Sequence, residues 1–366
     1  MDITIYPRLL RGEIKIIPSK SQAHRLMICA AFADKPTQLR CAETNRDMEA
    51  TADCLRALGA DITRTDSGYT VFPVSRLPDS AVLNCCESGS TLRFMLPVAG
   101  ALGVDSIFQM AGRLPQRPLS PLWEEMERMG CTLSRPTSDT IRCQGKLLPG
   151  RYSIDGGVSS QYITGLLLAL SLMDNNSQLI ITGKVESKPY IQLTKNALSL
   201  FGVDPDNPGG QPLRTPGSLS VEGDWSNGAF FLAANALGSG LSVCGLNTES
   251  IQGDRTVVDI LHQLEACCPT ISAANIPDLV PILSIAAACK NGAVFTEISR
   301  LRLKESDRVA SVVAMVTALG GRAEATEDTL TVHGTGLTGG TVDAVNDHRI
   351  AMSAAIAATA FVLSNL

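Results

Sequence analysis

The sequence predicts an α/β protein of two domains, each assembled from three similar strand-and-helix units. Three observations carry that expectation. Six polar turns each precede an Ala/Leu/Ile-rich run, and they recur at intervals of roughly 55–70 residues, which is an internal repeat. Short β-rich stretches fall between them. Most intervals also hold a helix of 3.6-residue amphipathic period that stops at a glycine.

In chain order, Ile3 to Ile17 reads as the first strands, with Glu13-Ile14-Lys15-Ile16-Ile17 the clearest. Pro18-Ser19-Lys20-Ser21-Gln22-Ala23-His24-Arg25 opens an apolar helix over Leu26 to Phe32. Met48 to Leu58, closed by Gly59, is the first amphipathic helix. Glu87-Ser88-Gly89-Ser90-Thr91-Leu92-Arg93 opens the second apolar helix, and Leu119 to Met129 ends at Gly130. Gly156-Gly157-Val158-Ser159-Ser160-Gln161 opens the third. Gln178 to Thr182 is then a strand, and Ile191 to Phe201 ends at Gly202. The Pro/Gly-rich stretch Asp204 to Gly217 is a surface excursion, and the break between halves falls near Ser220 to Gly223. Glu222-Gly223-Asp224-Trp225-Ser226-Asn227, Ile276-Pro277-Asp278 and Asn346-Asp347-His348-Arg349 open the last three apolar helices. Arg308 to Leu319, closed by Gly320, and a strand over Thr329 to Val332 lie before the last. A glycine after each amphipathic helix is a C-cap, and a helix apolar all round is buried. The domains are therefore 19–222 and 1–18 plus 223–366.

Composition limits the function. Hydrophobic content of 45% with 18% charged residues is that of a soluble globular chain, and 366 residues allow two domains. A net charge of −5 and the lack of a basic tail argue against a nucleic-acid partner. The start has no basic stretch ahead of an apolar core, so no secretory signal is expected. Ile350 to Leu366 is uncharged but short of the ~20 residues a membrane span needs. A cytoplasmic location follows. The 11 Cys form no C-x-x-C, and the adjacent pairs Cys85-Cys86 and Cys267-Cys268 do not suit zinc. They read as reduced thiols, most of them buried, with no metal and no cofactor.

The chemistry points to anions. Helix N-termini carry free N–H groups and a partial positive charge. Six such ends, with Lys and Arg among them, suit a small, heavily anionic substrate pair. Plainer readings stand beside this one. Asp224 and Asp347 serve equally well as N-caps. Glu305 and Arg308, at i and i+3, form a helix-surface pair, though flanking Lys304 and Asp307 favour function. His348 reads as a structural partner, and His24, His262 and His333 as incidental. Gly334-Thr335-Gly336-Leu337-Thr338-Gly339 matches a dinucleotide fingerprint, but Thr341 to Val345 continues as strand, so no nucleotide site is expected.

Seven segments in order resemble the 5-enolpyruvylshikimate-3-phosphate synthases (3-phosphoshikimate 1-carboxyvinyltransferases), a family of enolpyruvyl transferases. They are Ser19-Lys20-Ser21-x-x-x-Arg25, Gly112 with Arg117-Pro118, Val158-Ser159-Ser160-Gln161, Ser187-Lys188-Pro189-Tyr190, Pro277-Asp278, Lys304-Glu305-Ser306-Asp307-Arg308 and Asn346-Asp347-His348-Arg349. The sister family acting on UDP-N-acetylglucosamine opens with Lys-Asn where this chain has Lys20-Ser21. The resemblance implies a two-domain inside-out α/β barrel of six βαβαββ-type units, whose domains close on the ligands at the cleft between them. It implies transfer of the enolpyruvyl group of phosphoenolpyruvate to the 5-hydroxyl of shikimate-3-phosphate with release of phosphate, in the shikimate pathway of aromatic amino-acid biosynthesis. No cofactor or metal is implied, the partners are the two small-molecule substrates, and the chain is expected to be a monomer.

By the same resemblance Lys20, Asp278 and Glu305 are catalytic. Ser21, Arg25, Ser159, Ser160, Gln161, Ser187, Tyr190, Asp278 and Lys304 hold shikimate-3-phosphate. Lys20, Gly89, Arg117, Gln161, Arg308 and Arg349 hold phosphoenolpyruvate. Glu305, between Lys304 and Arg308, is pushed toward its ionised form unless bound anions cancel those charges. Gly89 implies the glyphosate-sensitive form of the site. Three departures stand out. Glu87 replaces a frequent Asn, and Arg300 replaces an Asn that touches the shikimate ligand. The family continues past the Asp-His-Arg helix with a strand, a Lys-bearing turn and a final helix, whereas this sequence stops at Leu366, so the sixth unit is expected to be incomplete. That implies weaker phosphoenolpyruvate binding and exposed apolar surface on Ile350 to Leu363. Two other readings stay open: a non-catalytic, truncated anion-binding remnant of the family, and an enolpyruvyl transferase with another acceptor.

Overall fold

In the computed structural model, which describes residues 2–41 and 43–360, the chain divides into two compact units. They are Pro18–Glu222 and Met1–Ile17 with Gly223–Leu366. β1 (Arg11–Lys15) belongs to the second unit, and the chain then enters the first. There α1 (Lys20–Ala31), β2 (Thr37–Arg40) and α2 (Arg46–Ala57) lead to the hairpin β3 (Asp61–Thr65) and β4 (Gly68–Phe72). Next come β5 (Ser80–Asn84), α3 (Gly89–Leu102), β6 (Asp105–Gln109), α4 (Leu122–Arg128) and the hairpin β7 (Cys131–Ser134) and β8 (Thr140–Gly145). The first unit ends with β9 (Arg151–Asp155), α5 (Ser160–Leu170), β10 (Gln178–Thr182), α6 (Lys188–Leu200) and β11 (Ser218–Ser220). The second resumes with α7 (Trp225–Ala236), β12 (Gly240–Cys244), α8 (Val257–Ala266), β13 (Thr270–Ser272), α9 (Val280–Cys289) and β14 (Ala293–Thr296). It closes with α10 (Arg308–Ala318), β15 (Arg322–Ala325), β16 (Thr329–His333) and α11 (His348–Ala360).

Three four-stranded sheets share one plan. Their orders are β11-β2-β4-β3, β5-β6-β8-β7 and β13-β14-β16-β15. In each, the first pair is parallel and the other two pairs are antiparallel. A parallel pair needs a crossover, and α3 and α9 supply it for β5 to β6 and β13 to β14. Two parallel pairs complete the set. β9 runs with β10, crossed over by α5, and β1 runs with β12 in the register Arg11↔Gly240 to Lys15↔Cys244.

The crossover helices lack a polar face because they have no water to meet. α5 is buried at ten of its eleven residues and α9 at nine of ten. α3 and α5 pack so closely that a Cβ on Gly165 would lie 2.1 Å from the Arg93 carbonyl oxygen. α2 is different. It buries Met48, Ala50, Thr51, Ala52, Cys54 and Leu55 and turns its charged residues outward, with the Asn45 side chain accepting the Met48 N–H as its cap. Gly103, at φ 74, ends α3 in the left-handed conformation that glycine tolerates.

Several expectations meet a different outcome. Ile3 and Ile5 form no strand, and the first strand begins only at Arg11. The helix expected from Leu119 begins at Leu122, because Pro121 keeps the residue before it, Ser120, out of the helical region and itself sits at the N-cap. α8 was not among the expected elements. Thr341 to Val345 is not a strand. There Asp343 Oδ1 accepts the Val345 N–H at 2.9 Å, and Val345 and Asn346 take φ of 45° and 57°, a turn no ladder admits. The helix expected over Ile350 to Leu366 runs from His348 to Ala360, and residues 361–366 lie outside the described set. All eleven cysteines are free, six of them buried. Among the described residues no helix is long and apolar enough to cross a membrane, and no group of three or more His, Cys, Asp or Glu could hold a metal.

Candidate active site

In the unit Pro18–Glu222 the polar residues gather on helix N-termini. Lys20 is the first residue of α1, and its Nζ meets Asp47 Oδ2, in the first turn of α2, at 2.7 Å. α3 begins at Gly89, capped by Ser88, whose Oγ accepts the Thr91 N–H. A Cβ on Gly89 would lie 2.6 Å from Nη1 of both Arg93 and Arg117, so only a glycine leaves those two guanidiniums against the backbone. Arg93 Nη1 donates to Gln161 Oε1 at 2.9 Å, and Gln161 Nε2 donates to Ser90 Oγ at 3.0 Å. The first turns of α3 and α5 are thereby tied together. Ser159 caps α5 by accepting the Gln161 N–H at 3.3 Å, and Ser160 follows as its first residue.

Ser187 occupies the N-cap position of α6 in a left-handed conformation, φ 54 and ψ 39, rare for a residue with a side chain and a mark of local strain. Tyr190 lies in the first turn of α6. Arg25 is differently placed. It is buried, and it donates to Thr194 Oγ1 at 2.8 Å, to Thr164 Oγ1 at 3.1 Å, and to the carbonyls of Ser21 and Tyr190 at 2.5 and 3.0 Å. Its guanidinium also stacks over Phe94 at 5.0 Å. Most of its donors are thus spent on joining α1 to α5 and α6.

The other unit holds a charge cluster of a different kind. Arg308, 1% exposed, is ringed by carboxylates: Asp278 Oδ1 at 2.8 Å, Glu305 Oε2 at 2.5 Å and Asp347 Oδ2 at 3.1 Å. Arg349 Nη2 meets Asp278 Oδ2 at 2.8 Å, and Lys304 Nζ lies 3.9 Å from Asp278 Oδ1. The local sequence explains the geometry. Asp307 caps α10 by accepting the Ala310 N–H at 3.1 Å, which fixes Arg308 at the helix start. Asp347 accepts the Arg349 N–H at 2.9 Å and so fixes Arg349 at the start of α11. Asp224 caps α7 through the Asn227 N–H at 2.9 Å. Asp224 and Asp347 are therefore caps, and Asp347 is also a charge partner.

The electrostatics follow from burial and neighbours. Burial works to raise Asp278, but Arg349, Lys304 and Arg308 outweigh it and hold its carboxyl well below the usual carboxylate range. Burial lowers Lys304 to about 8, opposed by Asp278. Burial pushes Asp254 up to about 7, reinforced by the negative charge of Asp278 and opposed by the hydrogen bond from Ser226. The cluster therefore sets Lys304, Arg308 and Arg349 against the carboxylates of Asp278, Glu305 and Asp347.

Comparison with known proteins decides the family. The protein-family model for EPSP synthase (3-phosphoshikimate 1-carboxyvinyltransferase) matches residues 6–275 and 269–362. The chain belongs to the EPSP synthase family. Among curated EPSP synthases, named as 3-phosphoshikimate 1-carboxyvinyltransferases, one from Clostridium botulinum (strain Alaska E43 / Type E3) is 36% identical over 389 residues, spanning 97% of this chain and 90% of its own length. The relative from Clostridioides difficile (strain 630) is 33% identical, with 97% and 90% covered. The solved EPSP synthase of Acinetobacter baumannii matches with a TM-score of 0.77 at 23% identity, over 97% of this chain and 91% of that one. The enolpyruvyl transferase NikO from Streptomyces tendae matches at 0.69 and 15%, over 97% and 90%. Both structures share the mixed α/β fold.

The structure also brings together polar residues that the sequence did not single out. Asp47, the partner of Lys20, carries no signal beyond its place in the first turn of α2. Arg93 and Ser90, in the turn that opens α3, bracket Gln161. His24 is buried, and its ring bonds to Thr51 at 2.7 Å. Glu87 is exposed, and its carboxylate lies against Gly112, where a Cβ would come within 2.6 Å. Arg300 sits in a short 3-10 turn, Ser299–Leu303.

Proposed function

We propose that this chain transfers the enolpyruvyl group of phosphoenolpyruvate to the 5-hydroxyl of shikimate-3-phosphate and releases phosphate, in the shikimate pathway. The observation that carries the reading is the family match along almost the whole chain, with curated relatives above 30% identity over 97% of it. The charge clusters agree with it in chemistry. Phosphoenolpyruvate, with a carboxylate and a phosphate, is assigned to Lys20, Gly89, Arg117 and Gln161 of the first unit and Arg308 and Arg349 of the second. Arginine suits such planar, bidentate anion recognition. Shikimate-3-phosphate is assigned to Ser21, Arg25, Ser159, Ser160, Gln161, Ser187 and Tyr190 of the first unit and Asp278 and Lys304 of the second.

In this reading Asp278 takes the proton of the attacking hydroxyl. Its pairing with Arg349 and Arg308 keeps it ionised and aimed, and bound anions that draw those guanidiniums away would raise its basicity toward that of an effective base. Glu305 delivers the proton to the methylene carbon. It is held by Arg308, and a bound anion competing for that guanidinium frees it to carry a proton. Lys20 assists proton transfer from its place beside Asp47. The finer architecture belongs to the same proposal: domains 19–222 and 1–18 plus 223–366, and six units in two inside-out α/β barrels. The shared plan of the three four-stranded sheets supports it. We further assign a monomer in the cytoplasm, whose partners are its two small substrates.

The test is phosphate release by the purified chain given both substrates together and each alone. Release only with both is expected. Asp278→Asn should lower the rate by about two orders of magnitude or more while the chain still melts cooperatively. Release from phosphoenolpyruvate alone, or from neither mixture, would overturn the reading. Turnover with a different acceptor would support the other open function.

A further inference from the structure

The first unit contains a buried chain of side chains that the assignments above do not use. α1 and α2 are joined by two rungs one helical turn apart. The outer rung is Lys20 to Asp47 at 2.7 Å, with both side chains about one-third exposed. The inner rung is His24 Nδ1 to Thr51 Oγ1, also 2.7 Å, with both residues buried. Spacing of i and i+4 on each helix places one rung above the other. From Thr51 the chain continues to Thr91 Oγ1 at 2.8 Å, and from there to Ser88 Oγ at 2.8 Å, both buried in the first turn of α3. Thr91 Oγ1 also lies 3.3 Å from the Asp47 carbonyl. Gly89 sits between Ser88 and Thr91.

Proton counting gives the chain a direction. The Asp47 carbonyl only accepts, and Ser88 Oγ already accepts the Thr91 N–H. The one hydroxyl proton of Thr91 goes to Ser88 or to that carbonyl. Thr51 therefore donates to Thr91, and His24 must donate its Nδ1–H to Thr51. The other ring nitrogen, Nε2, is buried and makes no hydrogen bond among the described residues, so it carries the lone pair. The ring edge rests against Phe94 of α3, centroids 6.1 Å apart at 86°. The charged groups about the ring are Lys20 and Arg25 on its own helix and Asp47 on α2. Burial, with Lys20 and Arg25, lowers the ring to about 3, against Asp47. A neutral ring leaves Asp47 to Lys20.

We propose that His24, Thr51, Thr91 and Ser88 are positioning residues, a buried relay that holds the Lys20 ammonium and the Gly89 turn in one register for the phosphoenolpyruvate end of the reaction. This rests on the functional reading above. A part-exposed ion pair contributes little on its own and does not immobilise a lysine. The inner rung, a turn deeper and dry, fixes the two helices and so fixes the outer one.

Thr51→Val keeps the shape and removes the hydroxyl, and Thr51→Ser restores it. With steady-state phosphate release as the readout, Thr51→Val should raise KM for phosphoenolpyruvate about tenfold, the size of one lost buried hydrogen bond. KM for shikimate-3-phosphate should stay within about twofold, and Thr51→Ser should return both to the native values. A purely structural role would lower the melting temperature and leave the KM values in their native ratio, which would overturn the proposal. Nitrogen-15 NMR of His24 judges the relay without any activity. A neutral Nδ1–H ring from pH 5 to 8 supports it, and an Nε2–H or doubly protonated ring overturns it. If the native chain releases no phosphate, the functional reading fails, and the NMR result alone decides whether the relay exists.

Discussion

Asp254 shows how one buried side chain sets a pH response. Its Oδ2 accepts from Ser226, while Oδ1 is buried and has no hydrogen-bond partner among the described residues. Burial first, then the charge of Asp278, raises it to about 7, above the unfolded carboxylate near 4. Between those values the folded chain binds the extra proton, so stability falls as pH rises from about 4 to 7, by at most roughly 1.4 kcal/mol per unit. Asp254→Asn keeps the acceptor for Ser226 and cannot ionise. Urea midpoints should therefore show the variant gaining on the native chain as pH goes from 5 to 7.5; parallel curves would remove Asp254 from this role. Residues differ in how plainly the sequence announces them. Lys20, Asp278 and Arg349 stand in polar turns ahead of apolar helices, where charge is conspicuous, and Arg308 stands in the charged run Lys304 to Arg308. His24 stands inside an apolar run, and its partner Thr51 is 27 residues away, so nothing local distinguishes it from a filler.

At the scale of elements, periodicity worked where one helix face meets solvent. The helix expected over Met48 to Leu58 is Arg46–Ala57, and the one over Arg308 to Leu319 is Arg308–Ala318. It failed where backbone bonding was decided locally. Val342 and Val345 suggest a strand, yet the side chain of Asp343 bonds to the Val345 N–H and bends the chain. Sequence patterning is equally silent on how near two helices come. The contact of α3 with α5 depends on Gly165, where a methyl group would meet the Arg93 carbonyl at 2.1 Å. Gly165→Ala should destabilise the chain by about 1–3 kcal/mol or more, because backbone cannot move aside as a side chain does. The displaced α3 would carry Gly89 and Arg93 with it, so KM for phosphoenolpyruvate should rise as the urea midpoint falls. A variant as stable as the native chain would mean the helices separate without cost.

At the scale of the whole molecule, the two units differ in how they are drawn from the chain. Pro18–Glu222 is continuous, and every strand in it finds its partner within it, including β11 beside β2. Expressed alone, residues 18–222 should fold with a single cooperative melt; a molten, dye-binding product would show that the second unit is needed. The second unit is discontinuous, since β1 pairs with β12 across more than two hundred residues of intervening sequence. That pairing has a consequence for biosynthesis. The ribosome delivers β1 first and β12 only after the entire first unit has emerged. At about 5–20 residues per second, β1 waits roughly 10–45 s without its mate. The charges at Arg11, Glu13 and Lys15 then act as a guard, keeping the waiting strand from pairing with another nascent chain until its own partner arrives.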